Sequence, residues 1–160
     1  HPKTLQPLQK KEIPLYVKSF LNPLLPGTSV SRGADLEPHI PCYIVKKDQL
    51  LLSLSSLDFS FIMEEHISEI FALFHQHKLR VNLIQNSAIS FSVCIDNKFN
   101  KFDAFYDELK TQFKIEVQKG VDLYTVRHFD NNAVLSIEEK GESLLTQVNK
   151  ETIQIVLAAK

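Results

Sequence analysis

In 160 residues the chain has no tryptophan, one methionine, two cysteines and four glycines, and no proline after Pro41. Cys42 and Cys94 stand in separate strand-like segments with apolar neighbours and make no CxxC or zinc spacing. They read as free buried thiols, so no disulfide framework is expected, and the setting expected is reducing and cytoplasmic. Four scattered glycines exclude a Gly-rich phosphate loop. No apolar run reaches the roughly 18–20 residues of a membrane span, and no signal peptide opens the chain. The net charge is −1. Binding to nucleic acid rests on clustered Lys and Arg, so neither nucleic acid nor membrane is an expected partner.

What is present is unevenly placed. All seven prolines fall within the first 41 residues, and proline removes a backbone donor and interrupts helices and central strands. A loop-rich leader and a regular helix-and-strand body follow, as one domain or two small ones. Apolar residues at 44% suffice for a core, and charged residues at 23% are ordinary. The chain opens on His1 rather than Met, the expectation being a piece of a longer protein. In the leader a short helix starts near Thr4, and residues 13–20 read as a strand entered at Pro14. Asn22-Pro23 and Pro26-Gly27 mark turns, and residues 31–41 read as a linker. Alone, this segment has too little core to fold, so it reads as the remnant of another domain.

The body turns on residues 81–96, VNLIQNSAISFSVCID. Ile89, Phe91, Val93 and Ile95 alternate with Ser90, Ser92 and Cys94, the period-two pattern of a strand with one apolar face. With 81–84 before it and a polar link at Gln85-Asn86-Ser87, the stretch predicts a hairpin. Upstream, 42–46 and 49–57 read as strands parted by a turn at Lys47-Asp48. Met63, Ile67, Ile70, Phe71 and Phe74 recur at three- and four-residue steps, predicting a helix over 62–78 with Ser60 as N-cap and Glu64 and Glu65 at the positive end of its dipole. Phe102, Phe105, Tyr106, Leu109 and Phe113 predict a second helix over 98–112. A strand at 114–119 completes a β-α-β-β-α-β unit, the ferredoxin-like arrangement.

After Gly120 a weaker copy begins. It reads as a strand at 121–129, a short helix at 131–140 ended by a left-handed Gly141, and a hairpin of 144–148 with 152–157. It lacks a last helix and strand of its own, and the otherwise unemployed 42–46 is expected to complete its sheet edge. The fold class is α+β: two ferredoxin-like units in tandem, the second shortened.

Two runs resemble one known family. His1-Pro2-Lys3-Thr4-Leu5, Pro7, Ile13-Pro14-Leu15, Val17, Ser19, Asn22-Pro23 and Gly27-Thr28 resemble the end of the catalytic domain of aspartate kinases. Residues 81–90, VNLIQNSAIS, are similar to the signature of that family's first regulatory ACT domain, Val-Asp-Leu-Ile-x-x-Ser-Glu-Val-Ser. The resemblance implies tandem ACT domains behind the end of a kinase domain: 1–40 as leader and linker, 49–119 as the first ACT domain, and 41–48 with 120–160 as the second. It also implies allosteric control of a parent enzyme that phosphorylates aspartate, with an end-product amino acid, lysine or threonine, as effector. The partners implied are the chain's own catalytic domain and a second copy joined through ACT domains. No catalytic residue, metal or cofactor is implied here, ATP and Mg belonging to the kinase domain upstream.

Carried over by position, the effector site is Asp58, Ser60, Met63, His66, Ile67, Val81, Asn82 and Ser87, with Ala88 beside them. Asn82 stands where the family has Asp, Ala88 where it has Glu, and Glu65 where lysine-sensitive members have Gly. An amide accepts a hydrogen bond from an ammonium but supplies no charge, and charge-assisted bonds are about twice as strong. An alternative is a degenerate ACT scaffold that serves dimerisation without an effector. From the residues alone, Asn82 and Ser87 read first as a strand-end and a turn residue; the resemblance makes the ligand-contact reading an equal alternative. An RNA binder of the RRM type would need exposed strand aromatics, whereas Phe91 shares a face with Ile89 and Val93, which suits a core. His66, His75 and His77 have no carboxylate or cysteine at ligating spacing, and Arg127-His128 has no nucleophile beside it.

Overall fold

The computed structural model describes residues 2–32, 38–58, 60–98 and 100–158, and the chain divides into two units, His1–His39 and Ile40–Lys160. Residues 33–37 of the expected linker, Phe59 of the loop before the first predicted helix, and Phe99 lie outside the described residues. In the first unit, helix α1 (Pro2–Lys10) starts at Pro2 rather than near Thr4, because proline's fixed φ and missing donor suit a first helical turn. The strand expected over 13–20 is only β1 (Leu15–Val17), paired antiparallel with β2 (Thr28–Val30). Gly27, at φ +73°, closes that ribbon, and a Cβ there would collide with the Val17 carbonyl oxygen. Phe20, Leu21 and Leu24 are more than nine-tenths exposed.

The second unit is a six-stranded sheet with order β4-β5-β3-β6-β8-β7 and antiparallel neighbours throughout. Its strands are β3 (Cys42–Ser56), β4 (Arg80–Asn86), β5 (Phe91–Asp96), β6 (Phe113–Arg127), β7 (Ser143–Asn149) and β8 (Thr152–Leu157). Its helices are α2 (Glu64–Gln76), α3 (Phe102–Leu109) and α4 (Asn131–Glu138). Two strands of fifteen residues, β3 and β6, run the length of both halves. The turn expected at Lys47-Asp48 is instead a bulge within β3, with Asp48 at φ +54°, and the joint expected at Gly120 is a bulge within β6, at φ +68°. Residues 42–46 pair with 123–127 of β6, so the segment ahead of the first half forms the edge of the second, as inferred.

The bulges switch faces. Leu50, Leu52 and Leu54, with Phe91, Val93 and Ile95, pack under α2 and α3, whose Ile70, Phe74, Phe105 and Leu109 complete the first core. Both helices therefore cover one face of a four-stranded antiparallel half, which is the ferredoxin-like unit. In the second half Val126, Ile153, Ile155 and Leu157 pack with Ala133 and Ile137 of α4. A third cluster of Leu83, Cys94, Val121, Leu123 and Val156 lies on alternate positions of the same strands. The helix-free faces of the two halves thus pack on one another.

Several local expectations are corrected. The N-cap of α2 is Met63, not Ser60, because Ser60 is held by Ser56 and Asp58 in the preceding loop. Helices α2 and α3 are shorter than the predicted 62–78 and 98–112, their flanks being taken by turns. Gly141 is not left-handed; α4 is capped at Glu139, and a Cβ on Gly141 would lie 2.7 Å from the Ala158 carbonyl oxygen. Of the two free thiols, Cys94 is buried, but Cys42 is exposed on its edge strand. Ile89 sits in the hairpin turn, 62% exposed, rather than on the face of Phe91.

Candidate functional site

Strand β3 ends at Ser56, and the loop that follows is built on one carboxylate. The Ser56 hydroxyl donates to Asp58 Oδ1, and the Ser60 backbone N–H donates to the same oxygen at 3.1 Å. Ser60 Oγ donates to Ser56 Oγ at 2.9 Å. A short acidic side chain that takes a backbone N–H two residues on makes an Asx turn. These donors, Ser56 before Ser60, hold the Asp58 carboxyl well below the usual carboxylate range, because each stabilises only the charged form.

Helix α2 then begins with a cap that the sequence did not announce. The Met63 backbone N–H donates to His66 Nδ1 at 3.1 Å, so that nitrogen is an acceptor and the other carries the ring proton in the neutral form. The imidazole also stands edge-on to Phe113, ring centroids 5.6 Å apart at 85°. Glu69 lies three residues on from His66, on the same helix face. Ser56, Leu57, Asp58, Ser60, His66, Glu69, Gln112 and Phe113 line a cleft of about 420 Å³ between the end of β3, the start of α2 and the start of β6. Two carboxylates face it, and none of these lining residues is Lys or Arg. A group carrying positive charge is favoured there, with hydroxyls, an amide and an imidazole to direct it.

Of the eight residues assigned to the effector site, Asp58, Ser60 and His66 line this cleft, and Met63 caps the helix beside it. Ile67 and Val81 are half-buried against the first core. Ser87 closes the hairpin turn, its backbone N–H donating to the Ser90 carbonyl at 2.8 Å. That turn is tied to the loop, because the Ile62 backbone N–H donates to the Ala88 carbonyl at 3.0 Å. Asn82 points elsewhere. It is the extra residue of a bulge in β4, and its amide bonds Lys46 and Gln49 on the helix-free face. Ser56, Glu69, Gln112 and Phe113 went unnoticed in the sequence. Glu69 could have been found from its spacing to His66, whereas Gln112 and Phe113 arrive only through tertiary packing. Among the described residues no group of three His, Cys, Asp or Glu could hold a metal ion, and no helix is long and apolar enough to cross a membrane.

Two antiparallel half-sheets with crossed-over edge strands and helices on their outer faces define the class: a tandem of ferredoxin-like α+β units. The comparisons narrow this. No protein-family model matches the chain. The lysine-sensitive aspartokinase 3 of Escherichia coli K12 is 27% identical over 130 residues, covering 77% of this chain and 29% of that protein. The crystal structure of E. coli aspartokinase III in complex with lysine and aspartate superposes with a TM-score of 0.75 at 22% identity, over 99% of this chain and 38% of that one. A C-terminal regulatory domain assigned to an aspartate kinase of Porphyromonas gingivalis W83 gives 0.61 at 14% identity, over 75% and 87%. The chain is thus similar to the C-terminal regulatory region of aspartokinases, and it spans less than a third of the length of the E. coli relative.

Proposed function

We propose that this chain is the allosteric regulatory region of an aspartate kinase and that its cleft takes an end-product amino acid, lysine in preference to threonine. The observation that carries the reading is that Asp58 and Glu69 both line a cleft with no Lys or Arg among its described lining residues. Those acids supply the charge that Asn82 and Ala88 do not. Binding there would bias how the two half-sheets pack, and so the kinase domain upstream; such coupling is typically worth about 1–3 kcal/mol. Phosphate transfer, with its ATP and Mg, would belong to that domain. The division we propose has 1–40 as the end of the catalytic domain and linker, 49–119 as the first ACT domain, and 41–48 with 120–160 as the second. Calorimetric titration with lysine, threonine and methionine tests the ligand: heat with lysine is expected, and silence with all three would remove the effector reading. One observation favours the rival scaffold reading, namely that Asn82 is already engaged inside the chain.

The reading includes a homodimer formed through the first half of the six-stranded sheet. Among the described residues strand β4 ends the sheet with its outer edge unpaired, and Phe61, Met63, Ile84 and Ile89, between 39% and 62% exposed, lie on it or on the segments tied to it. Exposed strand edges flanked by apolar side chains pair with other chains unless blocked. Ile89→Glu should convert the dimer to a monomer in sedimentation velocity. A wild-type chain that sediments as a monomer would dismiss this part.

A further inference from the structure

The helix-free faces of the two half-sheets meet in an apolar contact that includes Leu83, Cys94, Leu123 and Val156. Three polar side chains stand at its rim. Lys46 Nζ donates to Asn82 Oδ1 at 2.5 Å, Asn82 Nδ2 donates to Gln49 Oε1 at 2.7 Å, and Gln49 Nε2 donates to the Lys47 carbonyl at 2.9 Å. Gln49 is 5% exposed, the one buried polar side chain among the described residues. Lys46 and Gln49 stand opposite Leu123 and Val121 in the β3–β6 ladder, and cross-strand partners share a face.

Two separate backbone irregularities make this meeting possible. One lies between Lys46 and Gln49, where Asp48 takes φ +54°; the other surrounds Asn82 in β4. A bulge disrupts the ladder and re-aims a side chain, and here both bulges aim at one point. Lys46 belongs to the strand segment that completes the second half, and Asn82 to the edge strand of the first. With both ends of the Asn82 amide engaged, its orientation is set.

We propose that Lys46, Asn82 and Gln49 form a latch that holds the two half-sheets face to face, and that opening this latch is the step by which their packing changes. Lys46 supplies from within the chain the ammonium that Asn82 could otherwise accept from a ligand. Asn82 is therefore a positioning residue. The latch stands on the contact between the halves and is independent of what the cleft binds.

Cys94 reports on it, being fully buried in the contact, while Cys42 is exposed. In a Cys42→Ser background of the full chain, Cys94 becomes the sole thiol, and its alkylation by iodoacetamide reads opening. Lys46→Met is expected to speed that reaction about tenfold or more, as befits loss of a charge-assisted bond. Asn82→Ala, which removes both bonds of the amide, is expected to speed it to a similar extent. Burial pushes the Cys94 thiol up to about 11 while the Lys46 charge pulls it down. Removing that charge by itself makes the thiol less reactive, so a faster reaction reports access. An unchanged rate in Lys46→Met overturns the latch, as does an increase no larger than the loss of global stability in urea accounts for. An unchanged or slower rate in Asn82→Ala overturns it equally.

Discussion

Phe105→Ala lowers the unfolding free energy by about 3–5 kcal/mol, the usual range for a buried Phe-to-Ala truncation. Phe105 is fully buried and stacks on Phe74 at 4.7 Å and 18°, with Phe102 and the ring of His77 about it. It lies where α2 and α3 meet over the first half-sheet, so a void there strips contacts from both helices at once. Domains are stable by about 5–15 kcal/mol, so this is a large share. Urea unfolding followed by circular dichroism measures it. Phe71→Ala is the control: that ring is 37% exposed, has less transfer energy to lose, and should cost clearly less than Phe105→Ala. Equal losses at the two positions would refute the core assigned here.

On the proposed reading, Asp58→Asn together with Glu69→Gln is expected to remove lysine binding, each change weakening it about tenfold or more, since hydrogen bonds to charged groups contribute about 1.5–3 kcal/mol. Calorimetry on the single and double variants checks this, and an unaltered affinity in the double variant excludes the cleft. Asp48→Asn, which lines a different cleft beside the bulge, should leave affinity unchanged. The sign of the pH dependence follows from Asp58. Its carboxyl is depressed from the ordinary 3.8 by the Ser56 and Ser60 donors. Its contribution to folding is therefore complete above that ordinary value and is lost only as the pH falls through the lower folded one. Asp58 should accordingly hold its charge, and its share of ligand affinity, from pH 7 down to pH 5.

The site was partly legible in the sequence because the loop after the first strand and the start of the following helix are neighbours along the chain. Asp58, Ser60 and His66 meet there through local bonds. Asn82 was not legible. Alternation sets Val81 and Leu83 on one face, but the bulge at Asn82 sends Val81 under the helices and Leu83 to the contact between the halves. Bulges depend on how the neighbouring strand falls in register, and here Ile95 pairs with Val81 while Cys94 pairs with Leu83, which leaves Asn82 as the extra residue. The same holds for Lys47-Asp48, whose polar pair looks like a turn when the partner strand is out of view.

Periodicity determined roughly where the helices and strands of the body lie and, through Ile70, Phe74, Phe91, Val93, Ile95, Phe105 and Leu109, much of the first helix-covered core, because burial of one face imposes a period of 3.6 or 2 on nearby residues. Tertiary structure decided that two strands are continuous through both halves and that the helix-free faces close on one another. It also brought Gln112 and Phe113 to the cleft. These depend on ladder register and on contacts between distant segments, which leave no periodic trace in the residues that make them.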